Sequence, residues 1–260
     1  MLFGLIAGIA VAGLGVFHLN EAPPRYEPPR DSSVKHWERA WSDVLARHVD
    51  TRGRVDFAGL GKDRAELDEV VRFIAAIDPI SSPGQFPTPN GRMAYYIDAY
   101  NALAMYGVLE AGVPKRFGWF GRIRFFVFRK FAMGGRAISL YGLENNVIRP
   151  LGDPRVHFAL NCMSVGCPRL PQSAFTARGL DQELDAAAKE FVAADRNVDV
   201  DDGRKEVRLS SIFKFYTKDF LTKAPSLLSY INQHRAAPIP SDYSIVFIDY
   251  DWSVNNQTRK

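Results

Sequence analysis

Both cysteines of this chain and one of its five histidines fall between Val156 and Pro168, in the run Val-His-Phe-Ala-Leu-Asn-Cys-Met-Ser-Val-Gly-Cys-Pro. A thiol becomes a strong nucleophile when a base or a positive field makes it a thiolate, and histidine is the usual partner. Two nearby thiols can also close a disulfide, and thiol plus imidazole are the ligand types of zinc.

These three chemistries make different demands on spacing. For nucleophilic catalysis the candidates are Cys162 as nucleophile and His157 as its base. A third group normally orients the imidazole, and Glu144 is the carboxylate nearest upstream; Asp98 and Asn101 stand further back. Asn161 or neighbouring backbone amides are the candidates to hold an oxyanion. Residues five apart on a strand face opposite ways, so His157 and Cys162 meet only if the chain turns at Asn161. Cys162 follows the strand directly, whereas Pro168 holds Cys167 extended, which favours Cys162. For zinc the spacing is poor: four residues separate the cysteines and no second close pair supplies further ligands. No metal and no cofactor is therefore expected. For a disulfide the spacing is adequate outside the cytoplasm, and His157 is then a hydrogen-bonded core histidine.

The elements that must position these groups follow from periodicity. Val156–Leu160 is short and apolar apart from His157 and reads as a buried strand. Asn161–Pro168 reads as a tight loop after it. Arg92–Glu110 is the strongest helix, with Met93, Ile97, Tyr100, Ala104 and Val108 in a stripe ended by Gly112 and Pro114. Asp98 and Asn101, three apart, are neighbours on it, and the simpler reading is that they hydrogen-bond inside the fold. Further helices are expected at Val34–His48, Asp63–Ile77, Ser139–Arg149 (capped by Ser139), Leu180–Ala194, Ser210–Leu221 and Leu227–His234. A short strand is expected at Gly53–Phe57, a turn and strand at 199–209, and a closing strand or strand pair at Tyr243–Val254. Arg124–Phe131 and Ala137–Leu140 around Gly134 and Gly135 predict a β-hairpin with its aromatics inward. The aromatic and basic run over 117–140 also has the composition of a membrane-surface contact, but a sheet edge is the simpler account.

Apolar residues make up 47% of the 260 and charged residues 24%, which is globular composition. A net charge of +4 argues against a dedicated nucleic-acid binder. Leu2–Leu19 contains no charged side chain, so residues 1–20 are expected to be a membrane anchor or signal segment. Residues 21–33 hold four prolines and read as a linker. Residues 34–260 are expected to form a single α+β domain with an antiparallel-rich sheet and packed helices. Its bulk would lie outside the cytoplasm, in the periplasm of a bacterium.

Several stretches together resemble domain-of-unknown-function family 547. They are His157-Phe-Ala-Leu-Asn-Cys-Met-Ser-Val-Gly-Cys-Pro168, Tyr96-Ile-Asp-Ala-Tyr-Asn-Ala-Leu103, and Ser139-Leu-Tyr-Gly-Leu-Glu-Asn-Asn-Val-Ile-Arg-Pro150. Leu209-Ser-Ser-Ile-Phe-Lys-Phe-Tyr216 with Asp219-Phe220, and Tyr250-Asp-Trp-Ser-Val-Asn255, complete the set. The resemblance runs from about Trp41 to Asn255. It implies a fold similar to papain-like and transglutaminase-like cysteine hydrolases, with a Cys–His site. Two positions depart from the family pattern: Asp98 stands where Asn is usual, and Asn145 where His is usual after Glu144. Papain-like enzymes also place Cys before His, the reverse of the order here.

The expected function is a thiol-dependent hydrolase or acyl transferase acting on a peptide-like or amide substrate. Cys162 would attack, His157 would carry the proton and Glu144 would orient His157. The alternative is a non-catalytic cell-envelope module that binds a peptide-like or small-molecule ligand and carries a Cys162–Cys167 disulfide. If residues 1–20 anchor the chain, fractionated cells should retain the full-length protein with the membranes. Its recovery intact in the soluble cytoplasm would exclude the anchor.

Overall fold

The computed structural model describes residues 31–257. The expected anchor at 1–20 lies outside the described residues. Among the described residues no helix is long and apolar enough to cross a membrane. The chain is α+β, with helices packed around two small sheets.

Helix α1 (Val34–His48) starts at Ser33, whose hydroxyl accepts from the His36 amide, and buries Trp37, Trp41, Val44 and Leu45. Short α2 (Phe57–Lys62) and then α3 (Ala65–Ala76) follow. Helix α4 (Pro89–Glu110) is capped by Thr88 and begins with proline, which has no amide to leave unpaired there. It is buried on nearly every side: Met93 to Met105 are buried without a break. Helices of that kind are core struts rather than surface helices. Next come α5 (Trp119–Ile123) and a π-helical turn, Arg124–Phe128. Strands β1 (Phe131–Met133) and β2 (Arg136–Ile138) then pair antiparallel. Gly134 and Gly135 turn between them at φ +54° and +77°, and a Cβ on Gly134 would strike the Asp78 carboxylate at 2.4 Å. Helix α6 (Leu140–Leu143), capped by Ser139, runs into a π turn over Glu144–Ile148. Later come α7 (Leu180–Ala193), β3 (Val198–Asp201), β4 (Glu206–Ser210), α8 (Ser211–Phe215), α9 (Thr217–Phe220), α10 (Leu227–Asn232) and β5 (Ser244–Ile248). The three-stranded sheet has order β3-β4-β5, antiparallel at the first pairing and parallel at the second.

Buried apolar side chains form two clusters. One surrounds α4; the other gathers Phe191, Phe213, Phe220 and Tyr230 beside β4. The segment around His157 lies on the seam: Val156, Ala159 and Leu160 join the first cluster and Phe158 the second.

Four expectations change. Val156–Leu160 is not a strand, because Pro154–Phe158 forms a 3₁₀ helix whose Asp153 cap accepts from the Arg155 amide. A run of four apolar residues and a histidine fits a buried strand or a helical turn equally well, and Asp-Pro decides for the turn. Arg124–Phe128 is helical, so the hairpin shrinks to β1 and β2; Phe125 is buried, Val127 half-buried and Ala137 exposed. The Gly53–Phe57 strand reduces to isolated bridges of Val55 with Val49 and Asn256. The closing strand ends at Ile248, and one of the two sheets is mixed, so the antiparallel-rich sheet is smaller than expected.

Asp98 is fully buried in the first cluster, where the Trp41 indole donates to its Oδ1 at 3.0 Å. Burial pushes its carboxyl well above the usual range, although the Trp41 bond pulls the other way. The unfolded chain releases this proton near 3.8, whereas the folded chain keeps it to far higher pH, so stability falls as pH rises past 3.8. The slope is about 1.4 kcal/mol per pH unit. Asp98→Asn keeps an acceptor for Trp41 and removes the titration. Its melting temperature should therefore exceed that of the parent by more at pH 8 than at pH 4; a gap that ignores pH would refute the buried neutral carboxyl.

Candidate functional site

The loop after the 3₁₀ helix is folded by its own amides and by α4. Asn101, wholly buried on α4, donates from Nδ2 to the Ala159 carbonyl at 3.0 Å and accepts the Asn161 amide on Oδ1 at 2.7 Å. Asn161 then donates to the Pro168 carbonyl and accepts the Met163 amide, each at 2.7 Å. Met163, fully buried, sits at φ +63°, a left-handed conformation uncommon outside glycine. The chain therefore reverses within the loop and brings its two cysteines together. Residues 251–255 pair along the far side: Val165 donates to the Ser253 carbonyl, Gly166 to Asp251, and Asn255 to Met163. Gly166 has no room for a side chain, because a Cβ would lie 3.0 Å from the Tyr250 ring.

The result is a compact thiol cluster. The sulfurs of Cys162 and Cys167 lie 2.8 Å apart, and both cysteines are free. The Tyr250 hydroxyl reaches Cys167 at 3.1 Å and Cys162 at 3.4 Å, and Ser164 Oγ lies 2.9 Å from Cys162 Sγ. The backbone amide of Cys162 donates to Cys167 Sγ at 3.0 Å. The two thiols share protons unequally. Burial and the neighbouring Cys167 push Cys162 well above the ordinary thiol value. Burial acts upward on Cys167 too, but hydrogen bonds from Cys162, Ser164 and Tyr250 outweigh it and bring this thiol down to about 6. Cys167 also lines a cavity of about 610 Å³, between the Cys loop, the Arg52–Arg54 turn and α7.

His157 stands in a second cluster. Its Nε2 lies 2.8 Å from Asp219, its ring stacks on Tyr216 at 3.7 Å, and its buried Nδ1 has no hydrogen-bond partner among the described residues. Burial lowers its pKa, opposed by Asp219. Arg149 grips Asp219 from the other side through two bonds of 2.7 and 2.8 Å. Asn145 accepts a further bond from Arg149. Glu144 is buried and takes bonds from the Tyr100 and Tyr216 hydroxyls; burial raises its carboxyl, and those bonds oppose the rise.

The expected chain Cys162–His157–Glu144 is therefore not a hydrogen-bonded series in this structure. Among the described residues neither ring nitrogen of His157 meets a thiol, Nε2 facing Asp219 and Nδ1 being buried without a partner, and Glu144 faces tyrosines. The reason is the 3₁₀ helix: a strand ending in a turn would have swung His157 toward the loop, whereas the helical turn aims it at Tyr216 and α9. Asn161 is occupied within the loop rather than open to an oxyanion. Tyr216, Asp219 and Tyr250 receive no role from spacing alone, Tyr250 being 88 residues from Cys162, and Ser164, two residues after Cys162, receives none either. Among the described residues no group of three or more His, Cys, Asp and Glu side chains is placed to hold a metal ion.

Residues 85–192 match the family model described as protein of unknown function, DUF547. The match supports that family over α4, the hairpin, the Cys loop and nearly all of α7. The DUF547 stretch thus contains Asn101, Glu144, His157 and both cysteines, while Tyr216, Asp219 and Tyr250 lie beyond it. No curated protein and no solved structure was found to match the chain.

Asp219 joins Arg149 to His157 under partial burial. Burial raises its carboxyl, but the Arg149 and His157 bonds prevail and hold it well below the usual carboxylate range. Asp219→Asn should lower the unfolding free energy at pH 7 by about 2–3 kcal/mol. The parent's advantage is complete above the ordinary value of 3.8 and fades as pH falls below it. Denaturant melts at pH 7 and pH 3 check both parts.

Proposed function

We propose that the protein is a thiol-dependent hydrolase or acyl transferase acting on a peptide-like or amide substrate, with the Cys162–Cys167 pair supplying the nucleophile. One observation carries the reading. Cys167 is a buried thiol drawn down to about 6 by hydrogen bonds, and the residue borders a cavity large enough for a small ligand. Activation here comes from the loop rather than from an imidazole. The Cys162 amide and the hydroxyls of Ser164 and Tyr250 stabilise sulfur carrying negative charge.

In the proposed reaction the Cys167 thiolate attacks the substrate carbonyl and forms a C–S bond. The C–N bond then breaks, and the amine leaves with a proton from the Tyr250 hydroxyl or the Cys162 thiol. Water or a second nucleophile cleaves the C–S bond of the thioester, its proton returns to the Tyr250 oxygen or the Cys162 sulfur that gave one up, and the Cys167 thiolate is restored. His157, held by Asp219 and Tyr216, supports the wall behind the loop and has no proton-transfer role in this scheme. A location outside the cytoplasm, with residues 1–20 as the membrane attachment, is part of the same proposal and rests on sequence alone.

The 2.8 Å contact between the sulfurs favours a second reading. In it the pair closes into a disulfide, and the cavity serves a non-catalytic binding module.

Labelling with iodoacetamide separates the two. A nucleophilic Cys167 should be alkylated without prior reduction, with a rate rising through about pH 6 and level above it. Tyr250→Phe should move that midpoint upward, because the thiolate loses a donor. Labelling only after reduction would establish the disulfide. Slow labelling with a midpoint at the ordinary thiol value would end the catalytic reading.

A further inference from the structure

The walls of the cavity beside Cys167 are unevenly charged. Four arginines border it, Arg52, Arg54, Arg169 and Arg196, against two acidic residues, Glu183 and Glu190. Both carboxylates are engaged. Glu190 is held by Arg169, with one bond at 2.8 Å, and Glu183 accepts from the Thr176 amide at 2.9 Å and hydroxyl at 3.0 Å. Arg196 donates to the carbonyls of Val165 and Cys167, at 3.1 and 3.4 Å, so a cation borders the thiol's own loop. The side chains of Arg52 and Arg54 make no ion pair among the described residues.

Their position is fixed by backbone. Gly53 between them takes φ +77°, and a Cβ there would meet Arg169 Cγ and the Leu170 amide at 2.6 Å. Its carbonyl accepts the Asn255 side-chain amide, and Asn255 in turn is bonded to Met163 of the Cys loop. The turn that carries Arg52 and Arg54, the latter near enough to Asp251 to help lower its carboxyl, is thereby braced to the loop that carries the thiol. Half-buried Arg54 and exposed Arg52 border the same volume as Cys167.

Resting on the nucleophile reading above, we infer that this cavity selects substrates carrying a carboxylate near the scissile carbonyl, held by Arg52 and Arg54. A guanidinium fork matches a carboxylate with two parallel bonds and keeps its charge at every working pH. The excess of cations raises the local concentration of anions in a concave, partly dry space. The amide attacked by Cys167 is thus the acyl linkage of an acidic peptide or of an N-acyl amino acid, rather than of a cationic or neutral one.

Two alkylating reagents of nearly equal size test this on the full chain. Iodoacetate carries a carboxylate and iodoacetamide does not; with either, the thiolate displaces iodide and a C–S bond replaces C–I. The ratio of their rates at Cys167, located by peptide mass, is compared with the ratio on free cysteine at the same pH. The cavity should shift that ratio toward iodoacetate by about tenfold or more at low salt, less at high salt. Arg52→Gln with Arg54→Gln should return the ratio to that of free cysteine, the iodoacetate rate falling by about tenfold more than any change in the iodoacetamide rate. Arg52→Lys with Arg54→Lys should keep most of the preference. A parent ratio equal to that of free cysteine, with Cys167 labelled by iodoacetamide, overturns the carboxylate inference alone. Failure of both reagents at Cys167 overturns the nucleophile reading and this inference with it.

Discussion

The site depends on one buried amide. Asn101 projects from α4 and bonds with both of its ends to the backbone on either side of Leu160. Those two bonds fix where the 3₁₀ helix stops and where the Cys loop begins. Asn101, Ala159 and Asn161 are all buried, so losing the side chain would leave a buried carbonyl and a buried amide unpaired, each costing about 1–3 kcal/mol. A helix buried on nearly all sides supplies a rigid mount for this single polar contact. Everything downstream inherits its position: the turn at Asn161, the left-handed Met163, and the sulfurs brought within 2.8 Å.

Two titratable clusters share the neighbourhood and are kept apart by their hydrogen bonds. The sulfur cluster is organised by neutral donors, a tyrosine, a serine and an amide. The His157 cluster is organised by ions, with Asp219 gripped by Arg149. Tyr216 stands against the latter, stacked on His157 and bonded to Glu144. The imidazole is thereby held neutral by burial and offered a carboxylate, an arrangement that stiffens the seam between the two apolar clusters.

Much of this was legible in the residues. The periodicity of Val34–His48 and Leu180–Ala194 located α1 and α7 to within a residue, and Ser139 marks the start of α6 as its cap. The tight loop that carries both cysteines follows from residue types alone. The partners do not, for a physical reason. Tyr250 and Asp219 approach across long stretches of chain, and spacing along a sequence carries no information about such contacts. Glu144 was chosen as nearest upstream, but proximity in sequence placed it against Tyr100 and Tyr216. The strand expected at Val156–Leu160 fails because four apolar residues and a histidine hold no period; Asp153-Pro154 held the better signal. The motifs resembling the DUF547 family did contain Tyr216, Asp219 and Tyr250, without saying what any of them touches.

The segment from Tyr250 to Asn255 forms one wall of the thiol cluster and ties the Cys loop to the Gly53 turn. In the chain it follows every other contributor to the site. As the polypeptide leaves the ribosome, the helices and both cysteines emerge well before the tyrosine that covers the sulfurs. A nascent chain at that stage has its thiols present but lacks the donor that lowers one of them. The part of the Cys167 lowering that Tyr250 supplies would thus be added last, together with Val254, the final residue of the first apolar cluster.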